Sequence, residues 1–204
     1  GIAARQEIAR AKAGDALKFK GKAYRIFDVF DYTEGRRSNR PTNTLHNYDA
    51  ELRLTDHEGR EYALTVETHD HENSEGDDVD YDVLIWHQAI EASAVDEGKW
   101  AGGEYKGRGA QVKYKGTTYH RHGSKSGGWY AHSRTVENRQ ERGHDDVFVD
   151  VAPNAKHKLK NAARLLTRSR YEDGSVEWAM GTVIKWSKVY LKPVADKKSD
   201  SSQA

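Results

Sequence analysis

Leu17-Lys18-Phe19-Lys20-Gly21-Lys22-Ala23-Tyr24 returns 95 residues later as Val112-Lys113-Tyr114-Lys115-Gly116-Thr117-Thr118-Tyr119. Each copy alternates apolar and Lys residues up to a Gly, then reaches a Tyr. Alternation is the pattern of a half-buried strand, and the Gly marks a turn or bulge. A phrase used twice predicts two related strand-rich units. Lys18, Lys20, Lys113 and Lys115 are then expected on the outward face of an edge strand, where lysine discourages uncontrolled pairing. The phrase specifies architecture and carries no chemistry.

Working outward, residues 2–13 (IAARQEIARAKA) are good helix formers stopped by Gly14-Asp15, so 1–14 is expected to be a helical arm. The first unit, 15–95, continues with a strand over 24–32 (YRIFDVFDY) and a long loop over 33–47. A hairpin follows: 49–55 (DAELRLT) puts Ala50, Leu52 and Leu54 on one face, Asp56-His57-Glu58-Gly59 turns, and 61–68 (EYALTVET) returns with Tyr62, Leu64 and Val66 inward. Residues 69–80 read as an acidic loop. Val83, Trp86, His87 and Ile90 match helical spacing, so 83–95 is open to a helix as well as a strand.

Residues 96–110 hold enough Gly to be the connection between units. In the second unit, 111–193, strands are expected at 111–115 and 119–122, a flexible turn at 123–128 (GSKSGG), a strand at 129–136, a charged loop at 137–146 and a strand at 147–151. A hairpin over 164–170 and 176–185, turning at 171–175, is matched to the 49–68 hairpin of unit one. An edge strand at 186–192 precedes a polar tail from 194.

Composition narrows the function classes. Lys and Arg number 33 against 32 Asp and Glu, a net charge of +1, so no global field draws the chain to nucleic acid or anionic lipid. There is no Cys, which removes disulfides, thiolate metal sites and Cys nucleophiles together. That suits the cytosol, and an envelope protein lacking Cys fits too. The chain begins at Gly1 without Met, so a removed leader also fits and the compartment stays open. No run approaches the roughly 20 apolar residues that cross a bilayer.

The order Lys-x-Lys-Gly-x-x-Tyr, long loop, Leu-x-Leu strand, Tyr62-x-Leu64-x-Val66-Glu67, Leu165-Leu166-Thr167-Arg168 and Glu177-Trp178-Ala179-Met180-Gly181 resembles the bacterial domain of unknown function 4178 family. The resemblance spans about 15–190. Ala179 stands where that family tends to have Ser. It implies a β-rich fold and an envelope- or stress-associated accessory role, and it supplies no catalytic residues.

Other clusters each have a plain structural alternative. His69-x-His71 and His120-x-His122 place two imidazoles on one strand face, the spacing of a metal pair, with Asp70, Glu72 or Asp145 as oxygen ligands. Exposed or cross-strand His is the plainer reading. The acidic run Glu72, Glu75, Asp77, Asp78, Asp80, Asp82 lacks the ordered positions of a calcium loop. It complements a basic cluster, Lys156, Lys158, Lys160, Arg164, Arg168 and Arg170, as head-to-tail self-association would use. Arg36, Arg37 and Arg40 with exposed rings would serve nucleic acid, but the interspersed acids oppose it. Gly-x-Ser-x-Gly and phosphate-loop signatures are missing. Trp86, Trp178 and Trp186 read as core.

The sequence therefore predicts a mainly β protein of two similar strand-rich lobes, sandwich or small-barrel in type, with a short N-terminal helix and at most one or two other short helices. Its expected role is non-catalytic: a binding or structural module that self-associates or docks on a protein, with no cofactor. A metal-dependent hydrolase built on the His-x-His pairs and a nucleic-acid-binding module are the alternatives.

Overall fold

The structure is a computed structural model. It describes residues 11–34, 49–72, 78–100, 109–151 and 164–194 with Glu7 and Arg10; at 33–34, 49, 67–72, 78–83 and 123–127 it gives the backbone alone. Among the described residues, twelve strands form one continuous antiparallel sheet: β1 (Ala16–Phe19), β2 (Lys22–Glu34), β3 (Asp49–Thr55), β4 (Glu61–Glu72), β5 (Asp78–Ile90), β6 (Val95–Asp96), β7 (Gln111–Tyr114), β8 (Thr117–Ser133), β9 (Gln140–Val149), β10 (Arg164–Tyr171), β11 (Val176–Ile184) and β12 (Val189–Lys192). The order β2-β3-β4-β5-β11-β10-β9-β8 closes on itself through β2–β8 pairing, giving an eight-stranded barrel. Closure leaves no open edge in the barrel wall.

The mainly β, two-lobed expectation holds, but the lobes share one barrel: β2–β5 form one half of the wall and β8–β11 the other. Equivalent strands meet at both seams, β2 against β8 and β5 against β11. At the second seam His87 faces Gly181. The lobes also exchange their ends. After β5, the 3-10 turn Ala92–Ala94 and β6 cross to pair with β7; after β11, the 3-10 turn Trp186–Lys188 and β12 return to pair with β1. The sequence echoes this in Ile90-x-x-Ser93-x-Val95 and Ile184-x-x-Ser187-x-Val189.

The repeated phrase is a tight hairpin in both places. Phe19 pairs with Lys22 and Tyr114 with Thr117, leaving two turn residues each. Lys20 and Gly21 have φ of 51° and 76°, Lys115 and Gly116 47° and 79°. Positive φ at both centres is the turn whose twist suits a two-residue hairpin. Lys20 and Lys115 are therefore turn residues and not strand lysines. Lys18 and Lys113 do lie exposed, yet neither strand is an edge, because β12 covers β1 and β6 covers β7.

The 49–68 hairpin forms as expected, but its counterpart in lobe two is β9–β10; the β10–β11 hairpin corresponds to β4–β5. The acidic run extends β4 and β5, whose pairing reaches Glu72–Asp78. The helical alternative for 83–95 fails because β5 pairs on both sides. Leu84 and Trp86 bury one face while Ile85 buries the other, which hides the two-residue period. Residues 123–128 do not reverse the chain: β8 runs through, and the Gly- and Ser-rich stretch is a register shift against β9 between His122 and Gly127. The charged 137–146 segment is mostly strand β9, with the turn before it. The arm reading of 1–14 lies largely outside the described residues; of those described, Glu7 and Arg10 are helical and 11–14 are not.

Two cores sit on the outside of the barrel wall. In lobe one, Leu52, Leu54, Leu64, Val66, Leu84 and Trp86 face out and are roofed by Leu17, Phe19, Trp186, Val189 and Leu191. Phe19 and Tyr24 contact Trp86 at ring centroid distances of 4.5 and 4.9 Å. In lobe two, Phe148, Leu166 and Trp178 are roofed by Val95, Trp100, Val112 and Tyr114. Burying rings on this scale supplies the main stabilisation.

Candidate functional site

Since alternate residues of a strand face opposite ways, the residues between the outer-core positions point into the barrel. Those are the polar ones. Glu51 and Arg53 of β3, Thr65 of β4, His87 of β5, Glu141 and Asp145 of β9, Thr167 and Ser169 of β10 and Glu177 of β11 line a cavity of about 1070 Å³. Tyr32, Trp129 and Tyr171 line it as well. On β2 a bulge between Ile26 and Asp28 switches the parity, turning Phe30 and Tyr32 inward while Val29 stays in the outer core.

Farther along the lumen the filling is apolar. Ile85, Val149 and Leu165 are fully buried against Val147 and Val183. Gly181 lies here with no room beside it: a Cβ would meet Ile85 and Leu165 carbons at 2.8 Å. The barrel thus has a packed segment and a polar, aromatic one.

The polar segment is organised around three rings. Trp129 stands between Tyr32 and Tyr171 at 5.5 and 5.7 Å, with interplanar angles of 72° and 84°. Gly143 makes space for the indole, since a Cβ there would lie 2.7 Å from its ring. Each ring gives its polar hydrogen to its own carboxylate. Tyr32 Oη donates to Glu51 Oε2 at 2.8 Å, Trp129 Nε1 to Asp145 Oδ1 at 2.8 Å and Tyr171 Oη to Glu177 Oε2 at 2.9 Å. Burial pushes the Tyr32 hydroxyl well above its usual range, and Glu51 adds to this; burial and then Glu177 raise Tyr171 likewise. Both stay protonated donors near neutral pH.

Arg53 spans the lumen from β3 to β9. Its guanidinium donates to both oxygens of Glu141 at 3.1 and 2.7 Å and to Glu51 at 3.1 Å, and lies 3.9 Å from the Phe30 ring centroid. Burial works against its charge, but the Glu141 hydrogen bond and the Glu51 charge outweigh it and raise its pKa. Arg139, at the mouth, reaches Asp28 Oδ2 at 3.3 Å. Deeper, Thr65 Oγ1 and His87 Nε2 are 2.8 Å apart, a bond that fixes the imidazole's orientation.

The residues singled out from sequence are scattered. His122 lines the lumen while the side chains of His69 and His71 lie outside the described residues. Among the described residues no group of three or more His, Cys, Asp or Glu is placed to hold a metal. Lys156, Lys158, Lys160, Glu75, Asp77, Arg36, Arg37 and Arg40 lie outside the described residues, and Asp78 and Asp80 are described in backbone only. Arg164 is exposed. Arg168 is not a docking cation: it is 4% exposed and sits 3.7 Å from Asp146 and 3.5 Å from Glu97. Asp146 is also 2.9 Å from Arg121, both side chains at 0% exposure. Trp86 and Trp178 are core as expected, and Trp186 packs on the first core.

The lumen itself was not read from the sequence, because its polar positions have the pattern of a solvated strand face. One signal pointed to it. In β10, Leu165, Leu166, Thr167 and Arg168 are consecutive and all buried, which requires neighbours on both faces. Among the described residues no helix is long and apolar enough to cross a membrane. Compared with known proteins, the chain matches no family model, no curated protein and no solved structure.

Proposed function

We propose that the chain is a non-catalytic binding module whose barrel lumen holds a small ligand. The observation that carries this reading is the cavity of about 1070 Å³, whose polar side chains surround Tyr32, Trp129 and Tyr171, a concave space on the scale of a small-molecule site. Tyr32 and Tyr171 are held in place by donating to Glu51 and Glu177. The lumen groups are positioned on strands, so the site is formed before a ligand arrives.

Saturation-transfer NMR with a set of small aromatic, amine, sugar and carboxylate compounds tests it. Binding is expected to the wild type and to be lost in Ala179→Phe, which fills the lumen, with the thermal midpoint of that variant showing that the barrel persists. Equal binding to both proteins, or none to either, would sink the reading.

Self-association is a second reading, favoured by one observation. β12 is the last strand of the sheet among the described residues, and its Tyr190 is 63% exposed. An outer strand edge bearing an exposed ring is a pairing surface. Light scattering across a concentration series tests it, and a monomer throughout, with no change in Tyr190→Lys, removes it.

A further inference from the structure

We propose that the lumen ligand is a small organic cation, an alkyl- or arylammonium group seated against Tyr32, Trp129 and Tyr171 and faced by the carboxylates of Asp145 and Glu177. This rests on the lumen being a binding site.

Three features select that chemistry. The first is ring arrangement. Tyr32 and Tyr171 meet Trp129 edge to face, at 72° and 84°, so the three rings turn their faces in different directions. A flat sugar or base stacks on one face. A compact cation gains from several faces, because each ring quadrupole attracts it within about 6 Å of the centroid.

The second is the polarity of the handles. Tyr32, Trp129 and Tyr171 each donate their polar hydrogen to a carboxylate. Donation to an anion leaves more electron density on the ring, which strengthens its pull on a cation. It also engages the rings' own donors. The carboxylate oxygens beside these rings are acceptors only, so a ligand seated there gains by bringing donors, positive charge or both.

The third is charge balance. Glu51, Glu141, Asp145 and Glu177 line the cavity. Of the guanidiniums lining it, Arg53 is shared between Glu51 and Glu141, and Arg139 reaches to Asp28. Carboxylates outnumber guanidiniums among the lining side chains, with Glu177 exposed at the opening, which opposes carboxylate and phosphate ligands and favours a cation.

Titration calorimetry with choline and with its neutral isostere 3,3-dimethylbutan-1-ol tests the proposal, with benzyltrimethylammonium as a larger cation. A cation is expected to bind at least about tenfold more tightly than the neutral isostere, in line with a desolvated cation–π contact. Asp145→Asn and Glu177→Gln are expected to weaken the cation by a similar factor and leave the isostere unchanged. The wild type alone gives a second measure, since cation affinity must fall as salt rises and isostere affinity must not. Equal affinity for cation and isostere, or preference for a sugar or an anion, would overturn the cation and leave the lumen site standing. Binding unaffected by Ala179→Phe would overturn the lumen site itself.

Discussion

Three wall positions correspond between the lobes through strand register. Ala50 pairs with Val66 as Asp146 pairs with Arg168, and Leu52 lies between Val29 and Leu64 as Phe148 lies between Arg121 and Leu166. Val29, Ala50 and Val66 in lobe one are thus Arg121, Asp146 and Arg168 in lobe two, all nearly inaccessible. The same backbone accepts an apolar trio and an ionic one. The ions are therefore expected to add little to stability or to reduce it, because desolvating three charges offsets their attraction. What they add is direction. Glu97, in the segment that follows β6 across from lobe one, lies 3.5 Å from Arg168. That charge pairing joins the apolar contacts of Val95 and Trp100 in docking the segment.

The largest effect tests this. Asp146→Ala removes the carboxylate shared by Arg121 and Arg168, leaving Glu97 near Arg168 alone, and is expected to cost about 3–5 kcal/mol in urea unfolding. Arg121→Met, Asp146→Val and Arg168→Met together make lobe two resemble lobe one while roughly keeping volume, and are expected to restore wild-type stability or exceed it. A triple variant as unstable as the single one would break the comparison by showing that lobe two needs its charges.

The seam where equivalent strands meet gives the next effect. Gly181 and His87 face each other, but the lobes use the position differently. His87 occupies polar space beside Thr65, whereas the room at Gly181 is taken by Ile85 and Leu165. Gly181→Ala overpacks the lumen and is expected to cost about 1–3 kcal/mol. His87→Ala opens space that water can enter and is expected to cost less. The reverse ranking in thermal melts would mean that the packed and polar segments are wrongly divided.

Tyr32 and Tyr171 carry the comparison into the lumen, one ring from each lobe. Their folded pKa values are raised, first by burial and then by Glu51 and Glu177. The stability they contribute is whole below the ordinary Tyr value of about 10 and is lost as pH rises through the folded values. Unfolding free energies from urea titrations are expected to fall above about pH 10, by at most about 1.4 kcal/mol per pH unit for each ring. Tyr32→Phe with Tyr171→Phe should flatten that decline. An unchanged slope would place these rings in water.

How much of this was legible depends on which face of a strand is considered. Leu52, Leu54, Leu64 and Val66 were readable as core, because alternation reports burial of one face. It does not report what lies against the other face. Glu51, Arg53 and Asp145 look the same facing solvent or a lumen, and only closure through β2–β8, set by residues more than 90 apart, decides it. The Gly-rich 123–128 stretch misled because Gly and Ser serve a bulge as well as a turn, and local chemistry does not distinguish them. Arg168 was assigned to a surface cluster for the same reason: its partner Asp146 arrives from another strand.

The smallest effect concerns two turns, one in each lobe. Asp56 accepts hydrogen bonds from the Glu58 and Arg60 backbone amides and from Arg60 Nε, each at 2.9 Å. Asp173 accepts from the Ser175 amide and hydroxyl at 2.8 and 2.6 Å. Slight desolvation opposes ionisation at Asp56, but the Arg60 and Glu58 bonds outweigh it; the Ser175 bonds act on Asp173, and both pKa values are lowered. A lowered carboxylate stabilises above its ordinary value of about 3.9 and loses that contribution as pH falls through the folded value. Asp56→Ala and Asp173→Ala should each lower the thermal midpoint slightly at pH 7, Asp56→Ala more because it anchors three bonds against two. As pH falls through the lowered folded values, both variants should converge on the wild type. A deficit that persists in acid would mean that the turns depend on side-chain shape and not on the charge that draws in their backbone donors.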